Sequence, residues 1–449
     1  MFRRDVKSFR KPKRQRERGV TLLITAVAMI PLLGMAALAI DVVTLYSASG
    51  EAQKAADAGA LAGAKAFVTT GFTSGQLGDP TQSGNQAFAC NGSTGYSDLQ
   101  ATAAAQLNLV AGGAPTTITT SCNFTTAENP SITVTVTKTG LPTFFARIWG
   151  AGATTARAVA TAEAYNPSGS TTVPIKVQSV KPWLIPNCNP LNAPPCPGGQ
   201  FFINSTANYA LNNPNLGVGN FYTFVQANPK VALVAGTYYA LDLPQGRLSC
   251  PSTSAAPAGS CSNINLDAYQ ENIGCANTAT LSCGDTVTVD PNTSNAAMRT
   301  DTTQGTQCLI HTISHGNGNA NLAGSCAPPA DNDPDCFVSL AGSLPTINGG
   351  ASNPNPSMRV ANISRSDSVV TVPVFDFQTP IGGADDPCPS GVCGTATVMG
   401  FLQLGIQHIS ASGKIGAVVL NASGCDPASA GNPAVSGGGV SPVPVRLTQ

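Results

Sequence analysis

From Val20 to Ile40 the chain runs 21 residues without a charge, and no other stretch narrows its possible folds so far. As a helix rising about 1.5 Å per residue, this run covers roughly 31 Å, the thickness of a bilayer's hydrocarbon core. It is therefore expected to be a transmembrane helix, over residues 19–41. Nine basic residues (Arg3, Arg4, Lys7, Arg10, Lys11, Lys13, Arg14, Arg16, Arg18) and only Asp5 and Glu17 precede or open it, a net +7 for residues 1–18 against −7 for the rest. Flanks rich in Lys and Arg stay cytoplasmic, so residues 1–18 form a cytoplasmic tail and the bulk is expected on the other side. Because the basic block abuts the span, its expected partner is membrane lipid and not nucleic acid. A cleaved signal peptide competes with this reading, since Ser47-Ala48-Ser49 imitates a cleavage site. Against it, a secretory apolar core runs only ~7–15 residues and is not followed by a continuing helix.

The helical pattern passes straight beyond the span. Val42, Leu45, Ser49, Ala52, Ala56, Gly59, Gly63 and Ala66 recur at spacings of three and four, along one face. Small residues along a whole seam imply close backbone approach, either to the chain's own sheet or to another subunit. Asp41, Ala52, Ala56, Gly59 and Gly63 are the candidate interaction seam. Asp41 reads as a stop solvated at the interface or as a partner for another subunit, and Asp57 as a neighbour of Lys54. Ile132, Val134 and Val136 then alternate with Thr133, Thr135 and Thr137 in the period of a half-buried strand. Leu141, Phe144, Phe145, Ile148 and Trp149 predict a short core-facing helix stopped at Gly150. Ala156, Ala158, Ala160 and Ala162 would give a second strand a flat face for the alanine-rich helix. Residues 42–165 are thus expected to be one unit, a helix laid on a small antiparallel sheet, stapled by Cys90 and Cys122.

All 14 cysteines follow residue 89, which suits an oxidising compartment. Local pairs are the simplest expectation: Cys188 with Cys196, Cys275 with Cys283, and Cys388 with Cys393. No CxxC occurs, so thiolate metal sites are not expected. Residues 166–449 are rich in Pro, Gly, Asn, Ser and Thr, with apolar patches at 231–243, 369–377, 398–409 and 415–420. They predict a loop-rich, disulfide-held, mainly β extracytoplasmic region of one or two domains. The fold class is accordingly α+β.

Chemistry is hard to find. His311 and His315 have the i, i+4 spacing of a zinc motif, but Thr312 stands where the catalytic glutamate is needed. Asp331, Asp333 and Asp335 open like a calcium loop without its glycine or its closing glutamate. Nucleophile-elbow and phosphate-loop motifs are missing. No catalytic residue, metal or cofactor is assigned, and an enzyme is not expected.

The span with its terminal Asp41, Tyr46, the AADAGALAGA run from Ala55 to Ala64, and the later PTFFARIWG and ATTARAVATAEA stretches together resemble the TadG-like N-terminal domain of Flp/Tad pilus-assembly proteins. The resemblance implies a single-pass bacterial inner-membrane protein of a tight-adherence pilus and secretion apparatus, with a pilin-like helix-on-sheet unit. Pilus-assembly or pilin-like subunits are the implied partners, with homo-oligomerisation open. The D-x-S-x-S string of an adhesive metal site, found in some of the family, does not occur. Gly19 is followed five residues on by Ile24, not the glutamate of prepilin processing. A pilin-like filament subunit and an anchored adhesin or enzyme are the alternatives.

Overall fold

The computed structural model describes residues 17–74, 83–126, 128–150, 152–191, 200–205, 207–212, 218–227, 236–250, 261, 267–291, 295–311, 335–338, 346–349, 362–363, 365–376, 394–436 and 441–448. Helix α1, Glu17–Thr69, is one element of 53 residues that carries Pro31 in its interior. Its apolar window is long and hydrophobic enough to cross a membrane, and only 6% of that window is buried by the rest of the chain. A helix serving as the core of a soluble fold would be covered; here Leu22, Leu23, Ile30, Leu32 and Leu33 all face outward.

After the buried Asp41, continuous burial begins at Ala48. From there Ala52, Ala55, Ala56, Ala60, Ala64, Phe67 and Val68 form the inner face of α1, against helix α2 (Tyr96–Gln106) and an antiparallel sheet. The sheet is built from β1 (Thr117–Asn123), β2 (Ser131–Leu141) and β3 (Thr154–Ala164). Ile132, Val134 and Val136 point inward and are fully buried, a gain of about 1.5–3 kcal/mol for each side chain taken from water. Across the ladder they face Ala162, Ala160 and Ala158, so one strand supplies bulk and the next supplies the flat bed on which the helix rests. The short helix expected from Leu141 differs. Leu141 ends β2, a 3-10 turn covers only Ala146–Trp149, and Phe144 is exposed, because the backbone N–H groups here are taken by Asp41 and not by a helical ladder.

The second region centres on a closed six-stranded barrel. Its strands are β4 (Trp183–Pro186), β5 (Phe221–Gln226), β6 (Thr237–Ala240), β7 (Val369–Phe375), β8 (Thr395–Ile409) and β9 (Ile415–Gly424). The order β4-β7-β8-β9-β5-β6 returns to β4, with β4–β7 and β5–β6 parallel and the other pairs antiparallel. Closure leaves no free edge on these strands. Trp183, Tyr222, Phe224, Tyr238, Val372 and Leu404 belong to one buried cluster, which Tyr269 and Ile273 of helix α3 (Ala268–Gly274) and Met298 and Leu309 of helix α4 (Ala296–Leu309) also join.

The two regions are interlocked, which the sequence did not suggest at the 165/166 boundary. Strand β10, Val445–Leu447, returns to pair with β3 and so completes the first sheet. Asn421 of β9 donates to Val68 O at 3.1 Å and to the Thr73 hydroxyl at 2.6 Å, while Asn166 donates to Thr73 O and Ala422 O, both at 2.9 Å. Both asparagines are buried, and each bond satisfies a polar group that would otherwise be stranded at the joint. At Gly71 the chain turns with φ +69°, and a Cβ there would strike Leu420 O and Val218 Cγ1, so only glycine fits this crossing.

Candidate interaction site

Asp41 follows the last residue of the uncharged run, yet it is only 2% exposed. Its carboxylate accepts three backbone hydrogen bonds from one loop: Phe144 N–H to Oδ1 at 2.8 Å, and Phe145 and Ala146 N–H to Oδ2 at 2.9 and 2.6 Å. The sequence reading of Asp41 as a solvated stop or a partner for another subunit is corrected: its hydrogen-bond partners are more than a hundred residues away in its own chain. The donors are the otherwise unsatisfied N–H groups that open the Ala146–Trp149 turn, which Gly150 then ends with φ +83°. An acid at the end of a long uncharged run, with no further charge before Glu51, was the available signal for this clasp.

Just above, the small-residue seam is filled from within the chain. Ala52 and Ala56 are fully buried. A Cβ on Gly59 would lie 2.9 Å from Ala101 O and 3.2 Å from Val134 Cγ1, and one on Gly63 would lie 2.7 Å from Ile132 Cδ1 and 3.1 Å from Ala101 Cβ. Glycine at both positions lets α1 approach α2 and β2 together. The face is displaced from the expected one at its N-terminal end: Ser49 and Val42 are exposed, and Ala48 is buried in their place. Asp57 accepts from Gln53 Nε2 at 2.8 Å, not from Lys54, because Gln53 lies one turn away and also reaches Val159 O of the sheet.

Asp98 repeats the Asp41 device at the far end of α2. It is fully buried and accepts from the N–H groups of Asn91, Gly92 and Gly95 and from the Thr120 hydroxyl at 2.6 Å. Beside it Cys90 and Cys122 are joined, tying this loop to β1. The geometric grouping of Cys90, Asp98 and Cys122 as metal ligands is chemically spent, since both sulfurs are in the disulfide. Elsewhere the local-pair expectation fails at Cys275 and Cys283. Cys275 pairs with Cys250, Cys261 with Cys308, and Cys283 with Cys425, because α3 and α4 and the returning β9 bring together cysteines that sequence proximity does not. Cys188 is disulfide-bonded; Cys196, Cys388 and Cys393 lie outside the described residues.

His311 is buried and its Nε2 lies 3.2 Å from Asp367 Oδ2; His315 and residues 331–334 lie outside the described residues. Lys181 is the more unusual buried cation. Its ammonium donates to Cys275 O at 2.7 Å and Asn272 O at 3.3 Å, at the C-terminal end of α3, and burial pulls its pKa down to about 7. On the first sheet, Arg446 of β10 bonds Glu163 through Nε at 2.6 Å and lies 4.6 Å above the Tyr165 ring. Of these groups only His311 was singled out by motif, and its partner Asp367 lies 56 residues on; the Lys181 and Arg446 sites are likewise assembled from segments distant in sequence.

Residues 19–66 match the family model described as "Putative Flp pilus-assembly TadE/G-like". The matched stretch is the exposed apolar run and the buried alanine-rich half of α1, and it stops before the Phe144 loop. Among curated proteins and among solved structures, none is significantly similar to the chain.

Proposed function

We propose, taking the match over residues 19–66 as premise, that the protein is a non-enzymatic, membrane-anchored component of Flp (tight adherence) pilus assembly and secretion. Its place is the bacterial inner membrane, crossed once, with the basic residues 1–18 in the cytoplasm and the barrel region in the periplasm or beyond. The observation that carries the reading is that one helix does two jobs: its first half is apolar and bare, and its second half is the spine of a helix-on-sheet head. Such a head on such a stem is suited to standing beside pilin-like subunits or a second copy of the chain. The charge asymmetry and the disulfides support the orientation.

The same architecture favours one further reading, a pilin-like subunit that enters the filament. Deleting the gene in a piliated bacterium separates the two. An assembly component is expected to be required for pili and surface attachment while keeping its basic tail, by intact mass, and staying with the inner membrane. A subunit is expected to be recovered in sheared pili without that tail. Normal piliation and attachment after deletion would remove both readings.

A further inference from the structure

The clasp at Asp41 does more than hold a loop. With three N–H donors on its carboxylate, Asp41 no longer requires water, so it does not mark where the apolar surface ends. Beyond it Val42, Val43 and Tyr46 are exposed, Tyr46 by 83%, and no charge follows before Glu51. Counted from Val20 to Tyr46, the bare apolar helix is about 40 Å long, enough to cross the hydrocarbon core and enter the far headgroup layer. The loop is fixed at that same level, since its backbone bonds directly to the residue after Ile40. It presents Phe144, 60% exposed, and Arg147, also exposed.

We propose that the loop from Pro142 to Arg147, together with the Val42–Tyr46 turn of α1, is a second membrane contact: Phe144 and Tyr46 seat at the acyl–headgroup boundary, and Arg147 meets the phosphates of anionic phospholipid. An aromatic ring and a guanidinium are the side chains that this layer accommodates best. One helix through a bilayer leaves its head free to rotate and tip. A loop clasped to that helix and resting on the same surface sets the angle of the α1–sheet unit, and hence the direction in which the barrel is held. The inference rests on α1 spanning the membrane, and on no particular partner.

The test uses the full-length chain in phosphatidylglycerol-containing vesicles, with lipids brominated at shallow or deep acyl positions as quenchers. Tryptophan is placed by Phe144→Trp, Tyr46→Trp, Leu33→Trp and Leu107→Trp, each at an exposed position, and the added emission is read against the parent. Trp at 144 and at 46 is expected to be quenched severalfold more by shallow than by deep bromine, Trp at 33 chiefly by deep bromine, and Trp at 107 by neither. Quenching at 33 with none at 144 would overturn the loop contact and leave the span standing; if Phe144→Trp does not fold, absence of quenching at 46 does the same. No quenching at 33 would overturn the span and the contact together.

Discussion

Lys181 shows how far a single side chain can depart from its ordinary chemistry. An unfolded lysine titrates near 10.4, whereas this one is held down to about 7 by burial. Between these values the unfolded state binds more protons, so folding stability rises with pH across that window and is flat below about 7, where both states are charged. Tyr96 and Tyr238 are pushed up to about 12 by burial, which lowers stability above pH 10, so the effect is cleanest from pH 7 to 9. Over that range the denaturation midpoint of the wild-type chain is expected to climb, and Lys181→Met to reduce the slope, leaving the part due to Lys65, which burial also pulls down. An equal slope in the variant would mean that another group is responsible. None of this was legible in the sequence, where Lys181 stands beside a proline and a tryptophan with no motif around it. Asp41 was legible as an anomaly, a charge closing an apolar run, but its partners at 144–146 could not be read, because backbone donors carry no residue identity.

Among the elements, legibility tracked periodicity. Ile132, Val134 and Val136 against threonines, and the alternate alanines of β3, gave both strands and the inward face, since period two has one physical meaning in a half-buried sheet. The long apolar helix was equally plain. The Leu141–Trp149 segment was not, because its apolar spacing imitates a helix face while its N–H groups are claimed elsewhere. On α1 the small residues predicted close approach, and the structure names what is approached. Gly63→Leu is therefore expected to cost about 1–3 kcal/mol through overpacking against Ile132 and Ala101, read as a lower denaturation midpoint and faster proteolysis within residues 42–165. Membrane insertion is expected to be unchanged, as the run from Val20 to Ile40 is untouched. Wild-type resistance in the variant would refute the tight seam.

Across the whole molecule the sequence supplied pieces without their arrangement. The patches at 369–377, 398–409 and 415–420 mark barrel strands, but closure depends on β4, β5 and β6, which are only four to six residues long and are paired in an order that no local pattern encodes. The Cys283–Cys425 bond belongs to this scale. It spans 142 residues and joins the residue after the short strand Thr280–Ser282 to the residue after β9. Replacing both cysteines by alanine is expected to cost about 2–5 kcal/mol, measured by denaturant titration, with the Cys90–Cys122 unit losing less protection from proteolysis than the barrel. No loss of stability would show that the barrel's packing alone sets its strength.

The return of β10 to β3 has a consequence for how the molecule is made. A ribosome delivers α1 and the first three strands early, but the strand that flanks β3 is still unwritten; Glu163 and Arg446, which meet across that pairing, are 283 residues apart. At synthesis rates of ~5–20 residues per second, the interval is roughly a quarter of a minute to a minute. Throughout it β3 offers an unpaired row of N–H and C=O groups to whatever strand comes near. The sealing of this sheet, and not the winding of its helix, is the moment at which a nascent chain stops being open to pairing with its neighbours.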